Sequence, residues 1–230
     1  MFIIFDTETT GKAKNFNAPI HDIDNWPRMV QLAWQVHDER GEFIVNKNYI
    51  IKPEGFEIPY DAQKIHGIST ERALAVGHDI QKVLDEFAQD VHACKYVVGH
   101  NVDFDISVVG CELVRLQKPN VFESLTSIDT MKNSIEYCKL PGGKGGSFKF
   151  PKLTELYEIL FHESFVEAHN ASADVNATAR CFFEMIRLQI ITNKHINDDE
   201  CIKKFIQHNP TVCKLAKIDL QSKFFNRKLF

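Results

Sequence analysis

Two carboxylates one residue apart, Asp6 and Glu8, stand at the end of the apolar run Phe2-Ile3-Ile4-Phe5, and Thr9-Thr10-Gly11 follows them. The run reads as a buried strand. Side chains alternate along a strand, so both acids point to one face, close enough to ligate one cation. Anions held side by side repel each other unless a metal or a cationic group offsets them. This stretch alone leaves two readings open, a solvated strand end or one wall of a metal site, and more acid is needed to choose. Asp105 falls in the first turn after the short apolar run Tyr96-Val97-Val98-Gly99, and Asp174 opens the last core helix, with His169 in the loop before it. Either acid alone reads as a helix N-terminal residue favoured by the macrodipole. Four acids at strand ends and helix starts, where open α/β sheets place their sites, read as one constellation.

The elements that must position these residues follow from periodicity. Residues 12–28, rich in Asn, Asp and Pro, form a long loop with Phe16 and Trp26 as its bulky members, and loops of that length within a domain are often functional. Met29 to Val36 and Phe43 to Ile51 flank the turn Asp38-Glu39-Arg40-Gly41 and predict an antiparallel hairpin beside the first strand. Asp61 to Ser69 contains a short helix closed by Gly67. Asp79 to His92 has the apolar spacing of an amphipathic helix. Tyr96 to Gly99 is a buried strand and a helix runs on to about Leu116. Thr126 to Ile128 is a further strand, and Asp129 caps a helix that starts at Thr130. Leu153 to Leu160 and Ser172 to Ile190 are helical. Strands first, then strands alternating with helices, indicate an α/β layer with a mixed sheet of five strands flanked by helices.

Composition sets the class. At 230 residues the chain suits one core with an appendage. With 44% hydrophobic and 25% charged residues it reads as globular. Six scattered cysteines with no paired spacing, and no leader before Met1-Phe2-Ile3, predict reduced thiols and a cytoplasmic setting. No run is apolar enough to span a bilayer. The net charge of −4 is uneven: residues 192–230 hold eight Lys/Arg against four acids. An acidic body with a basic tail fits an enzyme acting on a polyanion through metal ions, and equally an ordinary solvated surface. Residues 139–152 form a glycine-rich basic loop without the Gly-Lys-Ser/Thr ending of a nucleotide-binding loop. It is either a mobile basic loop near a nucleic-acid strand or a plain connector.

Three stretches then combine into a resemblance. Asp6-Thr7-Glu8-Thr9-Thr10-Gly11 matches D-x-E-x-T-G, His100-Asn101-Val102-Asp103-Phe104-Asp105 matches H-N-x-x-F-D, and His169-Asn170-Ala171-Ser172-Ala173-Asp174 matches H-x-A-x-x-D. In this order the chain resembles the DnaQ-like, DEDDh-type 3′–5′ exonucleases, the superfamily of polymerase proofreading subunits of the epsilon type, RNase T and oligoribonuclease. The match spans Phe2 to about Arg187. It selects Asp105 over Asp103. It implies a ribonuclease H-like sheet, with 1–191 as the exonuclease domain and 192–230 as a basic, helical C-terminal extension. It further implies that Asp6, Glu8, Asp105 and Asp174 bind two divalent cations, with His169 as the general base.

The chemistry agrees with that implication: all-carboxylate ligation suits Mg²⁺ or Mn²⁺ rather than Zn²⁺, and histidine, with an ordinary pKa of about 6.5, suits proton abstraction near neutrality. The resemblance gives Thr9, Thr10 and Gly11 as the floor under a terminal nucleotide and Phe104 as a neighbour of its base. Phe16 and Trp26 either stack on bases or pack within the fold, and Lys144, Lys149 and Lys152 either neutralise phosphates or are solvated. His100 is expected to be structural, and His66 is open. Gln221-Ser222-Lys223-Phe224-Phe225 loosely resembles sliding-clamp-binding peptides, or docks the tail on the domain; a DNA polymerase is the other expected partner. The expected reaction is metal-dependent removal of 5′-mononucleotides from single-stranded or frayed DNA, in proofreading or repair. The alternatives are a 3′–5′ exoribonuclease of the RNase T or oligoribonuclease type and a non-catalytic nucleic-acid-binding module.

Overall fold

The computed structural model describes residues 1–164 and 171–209. Its centre is strand β1 (Phe2–Thr9), paired antiparallel with β2 (Met29–His37), which pairs with β3 (Phe43–Ile50). On its other side β1 runs parallel to β4 (Tyr96–Gly99), and β4 to β5 (Thr126–Asp129), giving the order β3-β2-β1-β4-β5. The hairpin and the mixed five-stranded sheet expected from the sequence are both present. Helices α1 (Tyr60–His66), α2 (Thr70–Val76) and α3 (Ile80–His92) lead from β3 to β4, and α4 (Val102–Arg115) joins β4 to β5. Short turns α5 (Thr130–Asn133) and α6 (Ile135–Cys138) precede α7 (Leu153–Phe161), α8 (Ala171–Arg187), α9 (Asn193–Ile196) and α10 (Asp199–His208).

Alternation along β1 divides the interior into two layers. Ile3 and Phe5 face the side covered by α3 and α4, with Phe87, Val91, Val108 and Trp34. Phe2 and Ile4 face the opposite side, with Leu156 and Tyr157 of α7, Val175 and Phe182 of α8 and Phe205 of α10. Packing on both faces leaves every residue of β2 buried. The acids inherit this geometry: Asp6 and Glu8 continue the α8 side, Thr7 and Thr9 the α4 side. The pairing of β1 with β4 ends at Ile4–Val98, so Asp6 and Glu8 lie beyond the last residue paired with β4. A register shift between Glu8 and Thr9 ends the regular pairing with β2 at this point, the kind of irregularity that re-aims side chains beside sites.

Loop 12–28 contains no helix or strand, as expected, yet it is firmly pinned. Glu112 of α4 is 1% exposed, and its Oε1 accepts from Arg28 Nε (2.9 Å) and the Met29 amide (3.0 Å) while pairing with Arg115 (3.0 Å). Arg115 also donates to the carbonyls of Ile23, Trp26 and Pro27. Trp26 is buried with its Nε1 donating to Pro19 O, so of the two open readings for this ring packing holds. Phe16 remains 58% exposed, its ring 6.1 Å from that of Phe104. No helix among the described residues is long and apolar enough to cross a membrane. The described cysteines are free thiols.

Candidate active site

Asp6 and Glu8 come from β1 and Asp174 from the first turn of α8, and one carboxylate oxygen of each lies within 4.8 Å of the others. The strand supplies two acids because its period is two, and α8 supplies the third because it packs on the same face of β1. No lysine or arginine is paired with Asp6 or Glu8 among the described salt bridges. Burial, and then the charges of Asp105, Asp174 and Glu8, hold the Asp6 carboxyl well above the usual carboxylate range. Burial, followed by Asp174 and Asp105, pushes Glu8 up to about 8. A converging set of carboxylate oxygens, two of them held above the usual carboxylate range by burial and neighbouring charge, fits a hard divalent cation, whose preferred ligands are oxygens.

Asp105 reaches the site from the other side of the sheet. Its Oδ1 accepts from the Thr7 amide (3.0 Å) and the Thr7 hydroxyl (2.6 Å), so it stands beside the close trio and outside it. Burial raises its pKa to about 7, against the lowering effect of the Thr7 hydrogen bonds and with a further raising contribution from Asp129. Thr7, which the sequence does not single out, is the residue that holds the Asp105 carboxylate. The signal was its position, between the two acids and therefore on the α4 face.

The neighbouring residues divide plainly. Thr9 donates from Oγ1 to Gly11 O (2.7 Å). Thr10 pairs through its backbone with Arg28 O (2.9 Å), and its Oγ1 accepts the Arg28 amide (3.0 Å). The Thr9-Thr10-Gly11 corner is thus tied to the far end of loop 12–28. Phe104, half-buried, lies between Phe16 and Trp26. His100 is structural: its Nε2 donates to Pro151 O (3.0 Å) and its Nδ1 meets Thr130 Oγ1 (3.0 Å). Asp129 caps α5, as expected, and also accepts the Asn101 amide. Asp103 pairs with Lys132 at the surface. His66 Nδ1 accepts from the Ile68 amide (3.1 Å), which places its proton on Nε2; that atom is buried toward the Thr9 backbone without closing a hydrogen bond. Lys149 is paired with Glu155 (2.6 Å), whose carboxylate also receives the Lys152 amide at the start of α7. His169 and the segment 221–225 lie outside the described residues.

A test of the charge arrangement comes from the shifted acids. A carboxyl whose pKa is higher in the folded than in the unfolded chain binds protons more tightly when folded, so its contribution to stability falls as pH rises from the unfolded value toward the folded one. For Glu8 that window runs from 4.5 to about 8. In EDTA the protein is expected to melt at a lower temperature at pH 8 than at pH 5.5, with Mg²⁺ or Mn²⁺ raising the melting temperature more at pH 8. Glu8→Gln should flatten both trends in thermal denaturation. Equal cation effects at the two pH values in the parent protein would contradict the arrangement.

With the geometry in hand, likeness to known proteins becomes informative. Residues 3–182 match the family model described as exonuclease, RNase T. DNA polymerase III subunit epsilon of Rickettsia felis is 28% identical over 185 residues, covering 80% of this chain and 72% of that protein. The subunit of the same name from Rickettsia conorii is 28% identical over 188 residues, covering 80% and 73%. Among solved structures, Escherichia coli exonuclease I in complex with a dT13 oligonucleotide superposes with a TM-score of 0.64 at 21% identity, over 81% of this chain and 40% of that one. Exonuclease X in complex with 5′ overhanging duplex DNA gives 0.54 at 18% identity, over 88% and 99%. The chain therefore spans about 40% of the exonuclease I chain, and the shared architecture is the ribonuclease H-like fold.

Proposed function

The chain belongs to the exonuclease family, within the DnaQ-like superfamily, and we propose that it is a metal-dependent 3′–5′ exonuclease that hydrolyses single-stranded or frayed DNA to 5′-mononucleotides. The observation that carries this reading is the trio Asp6, Glu8 and Asp174, whose oxygens converge within 4.8 Å while burial and neighbouring charge oppose ionisation of Asp6 and Glu8. Residues 1–191 form the exonuclease domain in this reading, and 192–230 the extension.

Asp6, Glu8 and Asp174, with Asp105 beside them, would hold two divalent cations, Mg²⁺ or Mn²⁺. When bound, these supply the Lewis acidity that phosphodiester hydrolysis needs. The chain's own residues do the rest. Thr7 fixes Asp105 against β1, beside the trio. The corner Thr9-Thr10-Gly11, braced by Arg28, would form the floor under the terminal nucleotide, and Phe104 would pack near its base. His169 takes the proton of the attacking water, whose oxygen bonds to phosphorus as the bond to the 3′-oxygen breaks. The relatives named as DNA polymerase III epsilon subunits support a setting beside a DNA polymerase. The proposed role is proofreading or repair, and the resemblance of residues 221–225 to clamp-binding peptides adds a sliding clamp as a further proposed partner.

The experiment is product analysis. The full chain is incubated with Mg²⁺ and 5′-labelled single-stranded DNA, mismatched duplex or RNA of the same sequence. Nucleoside 5′-monophosphates released fastest from the DNA substrates are expected. Faster loss of RNA would transfer the assignment to an exoribonuclease, since a 2′-hydroxyl contact would then be favourable. No release from any substrate would leave a nucleic-acid-binding module.

A further inference from the structure

Loop 139–152 has a definite fold of its own. The Gly143 amide donates to Ser147 O (3.0 Å), Ser147 to Lys144 O (3.3 Å) and Lys149 to Leu140 O (2.9 Å). Gly142, Gly145 and Gly146 adopt positive φ, and a Cβ on Gly143 would come within 2.4 Å of the Phe148 carbonyl. A slack connector needs none of these constraints. The loop is also anchored to the start of α4: Pro151 O accepts from His100, which directly precedes Asn101 at the helix's N-cap, and Asp105 lies in that helix's first turn.

The fold of the loop turns two aromatic rings outward. Lys149 is drawn into the pair with Glu155, while Phe148 and Phe150 on either side of it are 37% and 55% exposed. Lys139, Lys144 and Lys152 are exposed on the same loop. Exposed rings interleaved with cations make a surface for a strand whose bases are unpaired, since stacking needs a free base face and the backbone needs charge neutralisation. A duplex hides those faces.

Resting on the exonuclease reading above, we infer that loop 139–152 is a platform for the single strand upstream of the terminal nucleotide, with Phe148 and Phe150 stacking on its bases and Lys144 facing its phosphates. The substrate class is then a single-stranded polynucleotide several residues long rather than a dinucleotide.

Binding is measured by fluorescence anisotropy with 5′-fluorescein dT12 and dT2 in Ca²⁺, using the full chain. The parent protein should bind dT12 much more tightly than dT2. Phe148→Ala/Phe150→Ala should lower the ratio of the two affinities by about tenfold or more, as loss of stacking on one or two bases predicts, and Phe148→Trp/Phe150→Trp should keep it. Lys144→Ala should reduce the slope of log affinity against log salt by about 0.7, the value for one single-strand phosphate contact. An unchanged ratio in the alanine variant, or a parent protein indifferent to length, overturns the inference. Because affinity is read without turnover, the two failures are distinguishable: a parent protein that hydrolyses nothing sinks the exonuclease reading, whereas one that shortens DNA yet binds dT2 as tightly as dT12 sinks this inference alone.

Discussion

Asp6→Asn is expected to lower the rate of DNA hydrolysis by about a thousandfold or more while making the cation-free protein more stable than the parent at pH 8. The two effects share one cause. Asp6 is raised well above the usual carboxylate range first by burial and then by the charges of Asp105, Asp174 and Glu8. Removing one anion from this group relieves repulsion that nothing among the described salt bridges offsets, and the amide keeps the shape of the carboxylate. Catalysis is expected to fall because, in the proposed mechanism, the group concentrates negative charge for a cation. Hydrolysis rates in Mg²⁺ and thermal denaturation in EDTA at pH 8 read the two effects separately. A variant that is inactive and also less stable would show that Asp6 serves the packing of β1.

His169→Gln is expected to cost about a hundred- to ten-thousandfold in turnover, the range for removal of a general base, while Mn²⁺ affinity stays near that of the parent. The position rests on sequence: His169 precedes Asp174 by five residues, and Asp174 opens α8 beside Asp6 and Glu8. The parent's pH profile should fall on the acid side, where an imidazole of ordinary pKa of about 6.5 becomes protonated, and the variant's residual activity should lack that limb. Calorimetric titration with Mn²⁺ separates this role from ligation. Loss of cation affinity in the variant would make His169 a ligand or a structural residue.

Much of this architecture was legible because periodicity and chemistry coincide in β1. An apolar run that ends in Asp6 and Glu8 fixes both the strand and the shared face of its acids, and α3 announces itself by Ile80, Val83, Leu84, Phe87 and Val91. The hidden part depends on contacts between distant segments. That Asp105 is held by Thr7 follows from α4 and α8 covering opposite faces of the sheet, which no local pattern states. The commitment of Lys149 to Glu155 depends on how α7 begins. Helix α2, unlike the equally short α1 with Gly67 at its end, has no left-handed glycine to mark where it stops: its C-cap Gly77 is extended. Its signal was Ser69, whose side chain accepts the Arg72 amide ahead of a run of good helix formers. The loop that brings Phe16 and Trp26 to Phe104 is organised by Glu112 and Arg115, residues that read in sequence as an ordinary stretch of helix surface.

The central claim is that the converging acids hold divalent cations for stepwise hydrolysis from the 3′ end. Its most direct measurement tracks 5′-labelled single-stranded DNA in a denaturing gel, with the parent protein in Mg²⁺, in EDTA, and in EDTA with Mn²⁺ then added in excess. The account predicts a ladder shortening one nucleotide at a time from the 3′ end in Mg²⁺, no ladder in EDTA and its return with Mn²⁺. A ladder that persists in EDTA, or one that Asp6→Asn leaves intact, would contradict it.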